Sequence, residues 1–392
     1  MNNLVFESFD VRYPPTSERD SEGGGSTTKP IIVLQEDDRV PATKRKASRP
    51  PHAPGKRSRD TGEPAAVSAE TVRERERESC TERLSTTETP GSCDVQPSSS
   101  NPSTPRQDNG NTYMSASESR ARFERKYLQL QILGEGGFGS VYSGRRRADN
   151  FPVAIKHIPK KTVETRPVFH LGKVRQVPLE VLLMMKAAGR PASAGKSAVV
   201  SFLDWYDLEQ EVLLVMERPV PSVDLFNYIL NNGGPLQEDT ALSIMKQLVN
   251  AVLHMHSNRV FHRDIKSENI LIQTGSDGLR VRIIDFGCGC VLTDGAYRKF
   301  AGTPDFAPPE LYMCGGYEAG PTTVWQLGAL LYEMLDGLPQ FTTTEFICDS
   351  IRFSSELSRG CLDLLNLCLV LDPSERATLE QLQQHPRIRH SA

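Results

Sequence analysis

The run His262-Arg263-Asp264-Ile265-Lys266-Ser267-Glu268-Asn269, followed a few residues later by Asp285-Phe286-Gly287, constrains this chain more than any other stretch. It sets carboxylates, a lysine and a side-chain amide in a fixed order that suits phosphoryl transfer. That reaction asks a protein for positioning and charge neutralisation rather than covalent chemistry. Asp264 can orient an attacking hydroxyl, and Lys266, two residues on, can reach a γ-phosphate as charge moves onto it. Asn269 and Asp285 bring the amide and carboxylate oxygens that magnesium favours. Asp264, Lys266 and Asn269 are the candidate catalytic residues. The plain alternative is a polar loop between two strands, and the upstream sequence decides against it.

Leu128, Leu130 and Ile132 alternate with Gln129 and Gln131, the period of a half-buried strand. The strand leads into Gly134-Glu135-Gly136-Gly137-Phe138-Gly139-Ser140-Val141. Glycines at 134, 136 and 139 let a hairpin backbone approach phosphates closely with its amide N–H groups. Alone the pattern is weak, because dinucleotide-binding folds carry it between a strand and a helix. Here Val141-Tyr142-Ser143-Gly144 continues as a second strand and Val153-Ala154-Ile155-Lys156 as a third.

Loop, lysine and catalytic run together resemble the protein kinases. The resemblance implies that Lys156 bridges the α- and β-phosphates and is held by a glutamate on the next helix. Glu180 is the one acid in that helix, which Pro178 would open and Gly189 would end. Val181, Met184 and Met185 would pack it on the sheet. Residues 199–206 and 212–216 read as the last strands of the smaller lobe.

Glu217-Arg218-Pro219-Val220-Pro221 then reads as the connector beneath an adenine, with Met216 as gatekeeper. Proline has no N–H, so Pro219 leaves one hydrogen bond, at the Glu217 carbonyl, plus apolar contacts from Val141, Ala154, Leu271 and nearby Ile284. With Pro152 to Ile158, Arg175 to Val181 and Asp224-Leu225-Phe226, this hinge is similar to that of the Pim family of serine/threonine kinases, over residues 127–386.

The resemblance implies ATP and Mg2+ as cofactors. The nucleotide would be held by Leu133, Gly134, Glu135, Gly136, Gly137, Phe138, Gly139, Ser140, Val141, Ala154, Lys156, Glu180, Glu217, Asp224, Leu271 and Asp285, and the metal by Asn269 and Asp285. It also implies a monomer, active without phosphorylation of the activation segment, that acts on Ser/Thr of protein substrates, a choice Lys266 favours. Thr303 would contact the catalytic loop, and Glu310 would pair with Arg376. Most kinases have Asp where Val324 stands, an Asp that pins the catalytic-loop backbone, and the Pim pattern shares this valine. Pim kinases hold arginine-rich peptides with a set of acids. Asp224 and Glu268 match that set, Asn227 and Ser267 replace acids, and Leu338 stands where another is expected, so the basic preference should be weaker or narrower. Cys288 and Cys290 read as packing residues, since two cysteines do not make a zinc site.

The expected fold is therefore α+β and bilobal: a small β-rich lobe with one main helix, then a larger helical lobe, spanning 127–387. The helix at 237–256 would bury Ala241, Ile244, Met245, Leu248, Val249 and Val252, and a later one Leu357, Cys361, Leu364, Leu365 and Cys368. Residues 1–125 are rich in Ser, Thr, Pro and charge, too poor in apolar surface to offset the entropy of ordering, and read as a disordered tail. Ile31-Ile32-Val33-Leu34 is one apolar patch within it, and the alternating charges of 73–78 read as solvated. Lys44-Arg45-Lys46 and Lys56-Arg57-Ser58-Arg59 fit a bipartite signal for a nuclear import carrier; replacing both by alanine should abolish nuclear accumulation. Ser48, Thr89 and Thr104 are weak phosphosite candidates.

A net charge of −3 does not mark a nucleic-acid binder. Eight cysteines without a signal peptide read as reduced thiols. No apolar run nears the roughly 18 residues of a membrane span, so the expected location is cytoplasm, nucleus or both. The competing reading is a pseudokinase that binds partners without turnover. Its usual mark is loss of the lysine or an aspartate, and Lys156, Asp264 and Asp285 are all present.

Overall fold

The computed structural model describes residues 9–10, 32–34, 115–137, 139–170, 172–188, 197–275, 278–336, 341–354 and 356–391. Phe138, Gly189, Leu338, both basic clusters, the 73–78 run and the tail phosphosites lie outside these residues. Within the expected tail, two short strands, β1 (Phe9–Asp10) and β2 (Ile32–Leu34), pair antiparallel, so Ile32, Val33 and Leu34 of the apolar patch are part of a sheet. Regular structure also begins ahead of the expected boundary, with helix α1 (Ala116–Lys126). The Ser115 hydroxyl accepts from the Glu118 N–H while the Glu118 carboxylate accepts from the Ser115 N–H, a reciprocal cap. Phe123 anchors α1 from below, buried 5.5 Å from the Tyr206 ring and 6.0 Å from the Tyr127 ring.

Chain order then gives β3 (Tyr127–Gly136), β4 (Gly139–Arg146), β5 (Pro152–Pro159), β6 (Thr165–His170), β7 (Lys173–Pro178), α2 (Leu179–Ala188), β8 (Phe202–Asp207) and β9 (Glu211–Glu217). Five of these strands form an antiparallel sheet in the order β3-β4-β5-β9-β8. The hairpin β6–β7 was not expected; it leads directly into α2, and β2 pairs with β6 in parallel. Pro178 closes β7 rather than sitting in the first turn of α2.

The alternation in β3 identifies a strand correctly but not its buried face. Leu128, Leu130 and Ile132 are all exposed, because β3 is the sheet's edge, its register breaks twice before Gly134, and Tyr127 alone of that stretch is buried.

The larger lobe starts with β10 (Ser222–Asp224) and α3 (Leu225–Asn231), followed by α4 (Glu238–Ser257) and β11 (Val260–Phe261). β12 (Ile270–Gly275) and β13 (Gly278–Ile283) join β10 in a sheet, and β14 (Cys290–Val291) pairs with β11. The rest is helical: α5 (Pro309–Cys314), α6 (Ala319–Asp336), α7 (Thr343–Ile347), α8 (Arg359–Cys368), α9 (Leu379–Gln384) and α10 (Pro386–Arg389).

Helix α4 buries the six expected apolar residues at helical spacing. α6 is buried on nearly every side from Thr322 to Leu335, which makes it the lobe's central post. Among the described residues no helix is long and apolar enough to cross a membrane. Arg376 reaches Glu310 through both of its terminal nitrogens, at 3.1 and 2.8 Å, with both side chains buried.

Candidate active site

The loop after β11 is turned by Arg263, held at φ 69°, and Asp285, two residues past the end of β13, is held at φ 62°. These are conformations that β-carbon sterics disfavour, so the surrounding contacts must impose them. His262 is one of those contacts. Its Nε2–H donates to the Ile284 carbonyl at 3.1 Å, and its Nδ1 accepts from the Asp264 N–H at 3.3 Å. Burial lowers its pKa, which keeps the ring neutral and suits this donor–acceptor pair.

Asp264 is nearly inaccessible, and its carboxylate is held from two sides. The Thr303 N–H donates to Oδ1 at 2.8 Å and the Asn269 side-chain amide donates to Oδ2 at 3.0 Å. Asn269 also donates to the Asp264 carbonyl at 2.9 Å. Lys266 donates to the Thr303 hydroxyl at 2.7 Å and lies 3.7 Å from Asp264 Oδ2. Thr303 therefore contacts the catalytic loop, as expected, through both its backbone and its side chain. The backbone half of that grip carries no side-chain signature and was not foreseen.

On the facing lobe, Lys156 in β5 is buried, with its ammonium 2.8 Å from Glu180 of α2 and 2.8 Å from Asp285. Burial works against the ammonium, yet the two carboxylates outweigh it and raise its pKa. Burial likewise opposes charge on Asp285, but Lys156 and the Gly287 N–H bring its pKa below the usual carboxylate range. Burial pushes the Glu180 pKa upward, against the pull of Lys156.

Gly134, Glu135 and Gly136 pair with Val141, Ser140 and Gly139 across the tip of the β3–β4 hairpin, and Gly137 forms the turn. At Gly139 φ is 118°, and a Cβ there would run into the His157 carbonyl, so this position demands glycine. Leu133 is half exposed at the hairpin's base. Ala154 stands opposite Met216 across β5 and β9, and Leu271 opposite Asp224 across β12 and β10.

Glu217 is buried; its carboxylate accepts from the Ser201 N–H and pairs with Arg282. Asp224 caps α3, one carboxylate oxygen accepting from the Asn227 N–H and the other from the Asn227 side chain, both at 2.8 Å. Arg263 donates to the carbonyls of Cys288 and Gly289. Burial pushes the Cys288 thiol up to about 12, which makes it inert and fits the packing role expected of it.

The donor set suits magnesium. Asn269 commits its amide nitrogen to Asp264 and so presents its oxygen as the group for a cation, and Asp285 adds a carboxylate kept ionised.

Over residues 127–388 the chain matches the protein kinase domain. It is 39% identical over 282 residues to serine/threonine-protein kinase pim-2 of Danio rerio, covering 71% of this chain and 90% of that protein. It is 36% identical over 276 residues to serine/threonine-protein kinase prk-2 of Caenorhabditis elegans, covering 69% and 59%. To serine/threonine-protein kinase 36 of Mus musculus it is 32% identical over 272 residues, 67% of this chain and 19% of that protein.

Proposed function

The chain belongs to the serine/threonine protein kinases, ATP-dependent enzymes, and we propose that within them it is a Pim-like kinase, active without activation-segment phosphorylation and weakly selective for basic peptides. The observation that carries this is the site already drawn together: Lys156 on Glu180 and Asp285, and Asp264 held between Thr303 and Asn269.

In this reading Asp264 orients the hydroxyl of a serine or threonine and receives its proton at the carboxylate. Lys266 sits beside it to meet charge on the transferred group. Lys156 holds the α- and β-phosphates, and the glycine hairpin covers them with backbone N–H groups. Mg2+, held by Asn269 and Asp285, would neutralise phosphate charge. Arg263 already donates to the activation segment's own carbonyls, so the segment is tied to the catalytic loop through neutral partners and not through a phosphate. That supports activity without a phosphorylated segment.

Weak arginine selection follows from how the acids are engaged. Both Asp224 oxygens accept from Asn227, which replaces an acid of the family pattern. Ser267 is fully buried and donates to Glu333, itself buried, with burial lifting that carboxyl to about 7. Glu268 remains as the exposed acid. On an arrayed set of serine peptides, arginine at any one position upstream should improve transfer only a few-fold, each lost charge-assisted contact being worth about 1.5–3 kcal/mol. Selection by hundreds-fold would contradict the proposal.

A further inference from the structure

The catalytic loop is pinned from α6 by a side chain that the proposed chemistry does not use. Gln326 is fully buried; its Nε2 donates to the Arg263 carbonyl at 2.9 Å and its Oε1 accepts from the Ile265 N–H at 3.3 Å. One side-chain amide thus grips the peptide groups on both sides of Asp264.

The two partners also dictate which side chain can do this. One is an acceptor and the other a donor, so the gripping group needs both functions at one end. An amide has both, whereas an ionised carboxylate only accepts. Turning the amide over would set oxygen against oxygen and N–H against N–H, so its orientation is fixed by its surroundings.

What it holds is strained. Arg263 lies at φ 69°, and its carbonyl is so closely approached by Gly302, at φ 132°, that a Cβ on Gly302 would strike it. A peptide held in such a conformation relaxes when a restraint is removed, and the carboxylate of Asp264 moves with it.

We propose that Gln326 is a positioning residue for Asp264, restraining the backbone on both sides of it from α6. The inference rests on Asp264 being the group that orients the attacking hydroxyl. It touches no substrate, so its loss should slow transfer without weakening nucleotide binding.

The test is the single-turnover rate of phosphate transfer from MgATP to a serine peptide, with ATP affinity and thermal unfolding measured alongside, for wild type, Gln326→Met and Gln326→Glu. Met keeps the volume and loses both hydrogen bonds; Glu keeps the volume and, when ionised, can still accept from Ile265. A displacement on the order of 1 Å costs up to about 100-fold. The expected result is a 10- to 100-fold slower transfer in Gln326→Met with ATP affinity within about twofold of wild type. Gln326→Glu is likewise slowed, because it cannot donate to Arg263, and it serves as the test should the Met variant not fold.

Transfer at the wild-type rate in a folded variant would overturn the inference. So would a loss of rate matched by an equal loss of ATP affinity, which is the mark of general loosening. If wild type transfers and Asp264→Asn transfers equally well, the reading of Asp264 fails and this inference with it. If Asp264→Asn is inactive and Gln326→Met is as fast as wild type, the inference fails by itself.

Discussion

His256 shows how a single buried ring ties stability to pH. Burial lowers its pKa to about 4, with Glu380 pulling weakly the other way, and its Nε2 lies 3.1 Å from the Thr323 hydroxyl. That hydroxyl donates to the Ala319 carbonyl, so the ring Nε2–H donates to the hydroxyl, and above its lowered pKa the ring is neutral. In the unfolded chain histidine titrates near 6.5. Between about 6.5 and 4 the unfolded state binds the proton and the folded state does not, so stability is complete above this window and is lost as pH falls through it. The upper limit for one such group is about 1.4 kcal/mol per pH unit, and partial exposure of the ring reduces it. Urea unfolding at pH 7.5 and pH 5 should show a smaller loss in His256→Gln than in wild type. Equal losses would assign the pH dependence to other groups. His262, also lowered by burial, acts in the same direction in both proteins.

Among elements, α1 was the least legible and is the easiest to test. Its cap, Ser115 to Glu118, is present in the sequence, but the helix is short and highly charged, and its single buried apolar residue, Phe123, gives no periodicity to read. The β6–β7 hairpin was hidden for a similar reason: its exposed residues do not alternate. By contrast, α4 and α8 announced themselves through apolar stripes, and both bury the residues the stripes marked except Leu357, which precedes α8 and is only partly buried. The catalytic loop was legible because the residues expected to act, Asp264, Lys266 and Asn269, lie close together in the sequence. The Gln326 grip is not local, since it joins α6 to loop groups 61 and 63 residues earlier in the chain, and nothing in the sequence pointed toward it.

Phe123→Ala should leave a cavity between α1, Tyr127 and Tyr206 and cost about 3–5 kcal/mol, read as a fall in the urea midpoint. A loss below about 1 kcal/mol would mean that α1 is not part of the folded unit.

At the scale of the whole molecule, the helical lobe depends on a buried ion pair between segments far apart in sequence. Arg376 also donates to the carbonyls of Val370 and Pro321 and lies over the Trp325 ring at 5.1 Å, so it joins α5, α6 and the turn before α9. Removing one partner leaves the other charge buried and costs about 3–5 kcal/mol. Arg376→Met should therefore lower the thermal midpoint while leaving ATP affinity of the folded fraction unchanged; an unchanged midpoint would contradict this role.

The proposed function divides the work between two residues, Lys156 binding phosphates and Asp264 directing the hydroxyl. The measurement that tests it most directly is transfer of labelled phosphate from MgATP to a serine peptide, with ATP affinity measured on the same samples, for wild type, Lys156→Met and Asp264→Asn. Transfer is expected in wild type, with its loss in both variants and ATP binding retained in Asp264→Asn. Undiminished transfer by either variant, or ATP binding by wild type with no transfer to any protein substrate, would contradict the proposed function.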